Sequence, residues 1–275
     1  MSVLSGGGWP ARIVQGVVLV MVGAYLALTV YGAFFADSII FQPPSPGYRD
    51  DASVLKVTSA DGARISAKYF PNANATFTLL FSHGNAEDIG YDTPLLEAIR
   101  DAGFAVFAYD YQGYGTSEGK PSEEHVYEDV EAAYAYLTNT LHVPSSRIIP
   151  WGRSLGAAAA VDLAAKHPVA GLIMESAFTS AFRVLTRIAL LPFDKFPNLE
   201  KIRKVRCPVL VIHGKSDDII GFYHGQMLFA AANEPRLSYW VEQSGHNDLA
   251  LVAGSRYFEE LRKFVSLVDR SIKGR

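Results

Sequence analysis

Cysteine is almost missing from this chain of 275 residues, since Cys207 is the only one. One cysteine excludes an intramolecular disulfide framework and any zinc site built on several cysteines. It lies at the start of an apolar run, where a buried structural thiol is expected. The histidines do not recur at the paired spacing of metal ligands. The sequence therefore predicts neither a metal site nor a cofactor.

An excess of one charge is also missing, because 25 Lys and Arg residues stand against 28 Asp and Glu residues, a net charge of -3. No basic block interleaved with aromatic residues is present, so nucleic acid is not expected as a partner. Hydrophobic residues make up 49% of the chain and charged residues 19%. This composition and length suit one large domain with a sizeable core.

Charged residues are absent from residues 13–35, which are rich in Val, Leu, Ala, Gly and aromatics. A helix of that length extends ~35 Å, enough to cross a hydrocarbon core of ~30 Å. We therefore predict a transmembrane anchor over residues 13–35, preceded by a short tail, residues 1–12. A cleaved signal peptide is the alternative, but Phe34 and Phe35 place bulky side chains where a small residue is needed. A buried core helix is a further alternative, and it would lack a polar face.

The orientation of this anchor follows from the charges at its two ends. Arg12 precedes the apolar run, and Asp37 is the first charged residue after it. The positive-inside rule then keeps the short N-terminus in the cytoplasm. We expect the large domain on the extracytoplasmic side of the membrane.

Residues 36–50 are predicted to form a Pro-rich linker, whose prolines exclude a helix and keep the connection extended. A large domain follows as residues 51–275, in which strands alternate with helical patterns, as in βαβ units. Strands are predicted near 54–58, 64–70, 77–82, 105–109, 147–151, 171–174, 208–213 and 238–242. Helices are predicted near 91–102, 122–140, 154–166, 222–233 and 249–269. A hairpin turn, Ser59-Ala60-Asp61-Gly62, joins the first two strands. We expect an eight-stranded, mostly parallel sheet with an antiparallel start and helices on both faces.

About thirty residues, 176–206, separate the sixth and seventh predicted strands. This segment can hold one or two short helices, such as residues 181–191. We expect it to form a small lid over an open site.

The pentapeptide Gly152-Arg153-Ser154-Leu155-Gly156 lies between a β-rich apolar run and an alanine-rich helix start. A G-x-S-x-G at a strand-to-helix turn is a nucleophile elbow. The turn is so tight that its two ends need glycine, and it exposes the serine hydroxyl near a helix N-terminus. Ser154 is therefore the candidate nucleophile.

A serine nucleophile needs a histidine base and an acid that orients the base. His246 is the candidate base, because it follows the last apolar strand in a loop that can reach the carboxyl edge of the sheet. Three acids remain open. Asp217 follows the strand at 208–213 and is favoured, Asp218 is its neighbour, and Glu175 follows the preceding strand.

An oxyanion hole requires two backbone N–H donors. Leu155, directly after the serine, is one candidate donor. The other is Asn85, in the loop Ser82-His83-Gly84-Asn85-Ala86 after the third strand. The His83 side chain is expected to brace this loop rather than to catalyse.

Five stretches carry a resemblance: 81–86, 109–115, 152–156, 213–217 and 245–248. Their order and spacing resemble the α/β-hydrolase superfamily across residues 50–270. Within it the chain is most similar to membrane-associated hydrolases of the depalmitoylase-like branch and their bacterial relatives, often described as serine-aminopeptidase-like. The resemblance implies Ser154, Asp217 and His246 as the triad.

These features lead to one functional expectation and two rivals. We expect a membrane-anchored serine hydrolase that cleaves an ester or thioester through an acyl-enzyme, with a small acyl ester, a lipid or an acylated protein as substrate. The first rival is a peptidase that removes small N-terminal residues. The second is a non-catalytic, membrane-tethered binding module, which the three plausible triad members disfavour.

Overall fold

The computed structural model describes residues 8–186 and 190–273. Within these ranges the domain is built on an eight-stranded sheet. The strands are β1 (Leu55–Thr58), β2 (Arg64–Phe70), β3 (Thr78–Ser82), β4 (Ala105–Tyr109), β5 (Ile148–Arg153), β6 (Leu172–Glu175), β7 (Val209–Gly214) and β8 (Arg236–Val241). They lie in the order β1-β2-β4-β3-β5-β6-β7-β8.

The sheet begins antiparallel and continues parallel. β1 pairs with β2, and β2 with β4, in antiparallel register, whereas all later neighbours pair in parallel. Strands β3, β4, β5, β6 and β7 are buried at every position. Such continuous apolar strands are typical of a parallel sheet covered on both faces. The predicted fold class is confirmed.

Helices cover both faces of the sheet. They are α1 (Gly8–Ile40), α2 (Ile89–Asp101), α3 (Glu123–Ala135), α4 (Gly156–Lys166), α5 (Ala181–Thr186), α6 (Asn198–Lys201), α7 (Tyr223–Ala231), α8 (Leu249–Ala253) and α9 (Ser255–Lys273). A π-helical turn, Tyr136–Thr140, prolongs α3, and 3₁₀ turns occupy Ser145–Arg147 and Ile202–Lys204. Residues of α2 and α9 pack on one face, and residues of α3 and α4 pack on the other.

The helix at the C-terminus differs from the single helix expected over 249–269. Gly254 has φ 55 and ψ -133, so the chain breaks there into α8 and α9. Glycine adopts this conformation without steric cost, whereas a helix cannot continue through it. In α9 the buried residues Tyr257, Leu261, Phe264 and Val268 follow the spacing of one helix face.

Helix α1 extends beyond the charge-free residues 13–35 at both ends. It begins at Gly8 and ends at Ile40, so residues 36–40 of the predicted Pro-rich linker are helical, contrary to expectation. The prolines of this linker begin only at Pro43, and a proline disfavours the helical conformation for the residue directly before it. The helix therefore ends at Ile40, three residues before Pro43. Residues 1–7 of the predicted tail lie outside the described residues.

The segment 176–206, predicted as a lid, contains α5, α6 and the 3₁₀ turn at Ile202–Lys204. Helix α5 ends at Thr186, so the helix expected over 181–191 is shorter among the described residues, and residues 187–189 lie outside them. Asn198 anchors the segment by donating from its side chain to the Phe178 carbonyl at 3.0 Å.

Candidate active site

Ser154 lies in the turn between β5 and α4 with φ 52, a left-handed conformation that non-glycine residues seldom adopt. Its N–H donates to the Glu175 carbonyl at 2.8 Å. A Cβ atom at Gly152 would lie 2.1 Å from the Gly156 carbonyl oxygen, and one at Gly156 would lie 1.9 Å from the Ser82 carbonyl oxygen. Both glycines are thus needed because the backbone itself fills the space on either side of Ser154.

The structure brings Ser154, His246 and Asp217 together from three separate segments. His246 Nε2 lies 2.9 Å from Ser154 Oγ, and His246 Nδ1 lies 2.8 Å from Asp217 Oδ2. Both distances are within hydrogen-bond range. A proton on Nδ1 leaves Nε2 free to accept the serine proton, which is the arrangement that general-base catalysis needs.

Asp217 is held as a carboxylate by several donors. Its Oδ1 accepts the N–H groups of Ile219 at 3.0 Å and Ile220 at 2.8 Å. His213 Nε2 lies 3.3 Å from Asp217 Oδ2 and 2.8 Å from the Ile220 carbonyl. Burial alone would raise the pKa of Asp217, but the hydrogen bonds of His213, His246 and Ile220 hold it well below its usual value. His213, expected to brace its strand end, therefore also contacts the acid.

The two alternative acids lie elsewhere. Glu175 is buried beneath the turn, where its Oε2 accepts from Tyr257 Oη at 2.6 Å and Trp151 Nε1 at 3.3 Å. Burial raises the pKa of this carboxyl group. Asp218 is exposed beside Asp217. Of the three acids, Asp217 is the one that contacts His246.

The two candidate oxyanion donors, Asn85 and Leu155, line the same cavity as Ser154 and His246. Leu155 directly follows Ser154 at the N-terminal end of α4. The Asn85 side chain ties its loop to the end of α1, because Oδ1 accepts from Gln42 N at 3.1 Å and Nδ2 donates to the Ile40 carbonyl. The backbone of Asn85 is thus fixed by its own side chain.

His83 braces the loop of residues 83–86, as predicted, from a fully buried position. Its Nδ1 lies 2.7 Å from the Gly84 carbonyl and its Nε2 lies 3.3 Å from Asp110 Oδ1. Burial opposes a charged imidazole, yet Asp110 raises the pKa of His83 above its ordinary value. Tyr111 Oη donates to the His83 carbonyl at 2.8 Å, and Tyr114 Oη donates to Asn85 Oδ1 at 2.6 Å. Residues 109–115, read from the sequence as a tight loop, therefore support the loop that carries Asn85.

A buried charge cluster next to Ser154 was missed by sequence reasoning. Arg153 Nη2 lies 2.6 Å from Glu87 Oε2 and also contacts Asp92. Glu87 Oε2 in turn accepts the Gly84 N–H at 2.7 Å. The sequence shows only that Arg153 is a charged residue within the turn around Ser154. Its partners could not be read from the sequence because Glu87 lies in a loop and Asp92 lies in α2.

The cavity over Ser154 has a volume of about 550 Å³ and a largely apolar lining. Apolar walls come from α1 and the lid segment, namely Ile39, Ile40, Phe178, Ala181 and Val184.

A separate group of possible metal ligands lies outside the lining of this cavity. Asp61, His125 and Glu128 each bring one potential ligand atom within 4.8 Å of the others. Because Asp61 belongs to another element, histidine spacing could not indicate that group, and no triad residue belongs to it.

Comparison with known proteins places these features in a family. Alpha/beta hydrolase domain-containing protein 17B of Homo sapiens is 40% identical over 223 residues, which cover 79% of this chain and 76% of the human protein. The protein aho-3 of Caenorhabditis elegans is 41% identical over 209 residues, 74% of this chain and 61% of the worm protein. The family profile described as "Serine aminopeptidase, S33" matches residues 73–196.

Solved structures share the architecture. A Pyrococcus furiosus esterase, 20% identical, superposes with a TM-score of 0.70 over 82% of this chain and 98% of the esterase. The esterase domain of a Rhodothermus marinus protein, 22% identical, has a TM-score of 0.60 over 76% of this chain and 97% of that domain. The resemblance stated from the five sequence stretches is confirmed. The chain is a hydrolase of the α/β-hydrolase superfamily and belongs to the family of alpha/beta hydrolase domain-containing protein 17B.

Proposed function

We propose that the chain is a membrane-anchored serine hydrolase that cleaves carboxylic esters or thioesters through an acyl-enzyme. The observation that carries this proposal is the hydrogen-bonded series from Ser154 Oγ through His246 to Asp217. Nucleophile, base and orienting acid each lie within reach of the next, which is the arrangement that nucleophilic catalysis requires.

Acylation begins when Ser154 Oγ attacks the carbonyl carbon of the substrate and His246 Nε2 takes the hydroxyl proton. The carbonyl oxygen becomes an oxyanion, for which the N–H groups of Leu155 and Asn85 and the N-terminus of α4 supply stabilisation. The tetrahedral intermediate then expels the alcohol or thiol, which takes the proton from His246. Asp217 keeps Nδ1 protonated and stabilises the imidazolium.

Deacylation repeats these steps with water as the nucleophile. His246 takes a proton from water, the hydroxyl oxygen bonds to the acyl carbon, and Ser154 leaves with the proton that His246 returns. The acid product carries the water oxygen. The same groups therefore serve both half-reactions without a cofactor.

The cavity lining favours an acyl substrate over a peptide N-terminus. A peptidase of the rival type needs a carboxylate that can receive an α-amino group. Glu87 lines the cavity but is already bonded to Arg153 and to the Gly84 N–H. The neighbouring side chains of Ile219, Phe178 and Val184 suit methylene groups instead.

The membrane part of the proposal is supported by α1. Residues Ala11–Ile40 are long and apolar enough to cross a bilayer, and the most apolar window is not buried against the domain. Arg12 before the run and Asp37 after it favour an extracytoplasmic domain. Protease protection of the domain in sealed, right-side-out vesicles would contradict this orientation, and its digestion from outside would support it.

The test of catalysis is labelling of full-length protein in detergent with a fluorophosphonate probe. Wild type should take the label, whereas Ser154→Ala and His246→Ala should not, because one lacks the nucleophile and the other its base. Ser216→Ala is the matched control, since this exposed serine lies near Asp217 in the same loop. It should label like wild type.

Ester and thioester turnover should follow the same pattern. Removal of the serine, the histidine or both should lower kcat similarly, because the residues act as a unit. Folded wild type that takes no label would overturn the proposal in favour of the binding module. Label that persists in Ser154→Ala would assign the nucleophile to another residue.

A further inference from the structure

A second apolar hollow, here called the α1–lid groove, lies between α1 and the lid segment. It has a volume of about 210 Å³. Its main lining residues are Leu28, Tyr31 and Gly32 of α1 with Leu190, Leu191 and Phe193 of the lid segment. One charged residue, Asp194, belongs to the lining, but its carboxylate accepts from Ser180 Oγ at 2.6 Å and Phe182 N at 3.0 Å. The groove thus offers a surface for hydrocarbon rather than for a polar ligand.

The α1–lid groove borders the catalytic cavity. Ile39, Ile40 and Ala181 line both of them. A hydrocarbon chain whose carbonyl carbon lies at Ser154 therefore meets apolar side chains as it passes these three residues toward α1.

Helix α1 is a fixed wall of the groove because it is tied to the domain at its end. Asp37 Oδ1 lies 3.0 Å from Lys195 Nζ of the lid segment, and the Ile40 carbonyl accepts from the Asn85 side chain. Gly32 allows the close approach of helix and lid, since a Cβ atom there would lie 2.9 Å from Leu191 Cδ1. Anchor and active site are therefore parts of one structure.

The length of α1 places the groove near the membrane surface. Its 33 residues extend ~50 Å, whereas a hydrocarbon core is ~30 Å thick. The difference of ~20 Å allows a span that ends before Leu28, so that the last turns of the helix, which line the groove, emerge on the side of the domain. Other apolar side chains of α1, such as Leu26 and Phe34, are exposed to the surroundings.

We propose that the α1–lid groove binds the acyl chain of a membrane-derived ester or thioester, so that the anchor helix is itself part of the substrate site. This inference rests on the proposed acyl chemistry of Ser154. An acyl chain leaves the bilayer along α1, lies against Gly32 and Leu191, and presents its carbonyl carbon to Ser154.

The first test compares p-nitrophenyl laurate with p-nitrophenyl butyrate as substrates of full-length protein in lipid nanodiscs. Gly32→Leu fills the groove and should lower the laurate-to-butyrate ratio of kcat/KM by about tenfold or more, as losing contact with a few methylenes does. Gly23→Leu is the matched control, because no atom lies within 4 Å of a Cβ at that position of the same helix. Its ratio should equal that of wild type.

The second test uses wild type alone and does not depend on the folding of a variant. A dodecyl fluorophosphonate with a terminal diazirine is attached to Ser154 and photolysed. Cross-links within residues 28–36 or 190–193 would support the groove, and cross-links confined to other segments would overturn it.

The outcomes separate this inference from the proposed function. If Gly32→Leu hydrolyses p-nitrophenyl butyrate and keeps the wild-type laurate-to-butyrate ratio of kcat/KM, the proposed role of the groove is overturned. The serine hydrolase proposal would then still stand. Wild type that takes no fluorophosphonate and hydrolyses neither ester would overturn both.

Discussion

The guanidinium of Arg153 lies 2.6 Å from the carboxylate of Glu87, and this ion pair joins the turn of Ser154 to the loop of Asn85. Arg153 directly precedes Ser154 in the chain. Glu87 also accepts the N–H of Gly84, which is the residue directly before Asn85. One carboxylate thus sets the distance between the two backbone segments that carry the proposed oxyanion donors. Such fixed positioning costs no reorganisation when charge develops in the transition state.

Removal of Arg153 should strongly destabilise the fold. Arg153→Met leaves Glu87 and Asp92 facing each other in a buried site without their shared cation. Loss of one partner of a buried ion pair costs about 3–5 kcal/mol in the free energy of unfolding. Urea denaturation followed by circular dichroism would measure this. Arg64→Met is the control, because its ion pair with Glu118 is exposed and its midpoint should stay near that of wild type.

Stability should also depend on pH through Asp92. Burial raises the pKa of Asp92 to about 6. The positive charge of Arg153 lowers this pKa, and the negative charge of Glu87 raises it. The pKa of an aspartate in the unfolded chain is ~3.9. Between pH ~3.9 and about 6 the native state therefore keeps a proton on Asp92 that the unfolded state has released. The stabilisation from this proton is fully present below about pH 4 and is lost as pH rises through about 6.

Asp92→Asn should remove this dependence. The free energy of unfolding of the variant minus that of wild type should therefore rise by about 2 kcal/mol between about pH 4 and about pH 7. Urea titrations at several pH values would measure the difference. A difference that stays flat over this range would show that Asp92 is ionised throughout.

The fold could be predicted from the sequence because its signals are local. Buried strands such as Thr78–Ser82 are continuous apolar runs, and their alternation with helical patterns indicates a parallel sheet. The turn at Ser154 is equally local, since Gly152 and Gly156 are required by backbone contacts within a few residues and the adjacent strand. The order of the remaining motifs then placed Asp217 and His246 at the same edge of the sheet.

Sequence reasoning could not identify contacts between distant segments. Arg153, Glu87 and Asp92 have ordinary neighbours in the sequence, and their pairing depends on how α2 packs beside β5. The contact of Ile40 with Asn85 likewise joins α1 to the site across 45 positions. No pattern within α1 distinguishes a helix that is only an anchor from one that also contacts the site.

The Asn85 side chain should matter for turnover although its proposed catalytic group is the backbone N–H. Asn85→Ala keeps that N–H but removes the hydrogen bonds to Gln42, Tyr114 and Ile40. A displaced oxyanion donor should lower kcat by about tenfold to about a hundredfold, with a smaller change in KM. Steady-state hydrolysis of p-nitrophenyl butyrate would measure both constants.

The same experiment needs a variant that loosens the contact of α1 with the domain without touching the loop of Asn85. Lys195→Met removes the ion pair with Asp37 at the same end of α1. If Asn85 acts by orienting its own N–H, Lys195→Met should change kcat much less than Asn85→Ala does. Equal losses in the two variants would assign the effect to the docking of α1 instead.

Gly156 should be the least replaceable glycine of the site. In Gly156→Ala the new methyl group would lie 1.9 Å from the Ser82 carbonyl oxygen, so α4 or the loop that follows β3 must move. Overpacking of this kind costs about 1–3 kcal/mol or more in the free energy of unfolding, and the displaced loop should also lower kcat. Gly245→Ala is the matched control next to His246, because its Cβ would meet only Asp248 Oδ1 at an ordinary 3.7 Å. Urea denaturation and fluorophosphonate labelling of both variants would test the contrast, and a Gly156→Ala protein as stable and reactive as Gly245→Ala would contradict it.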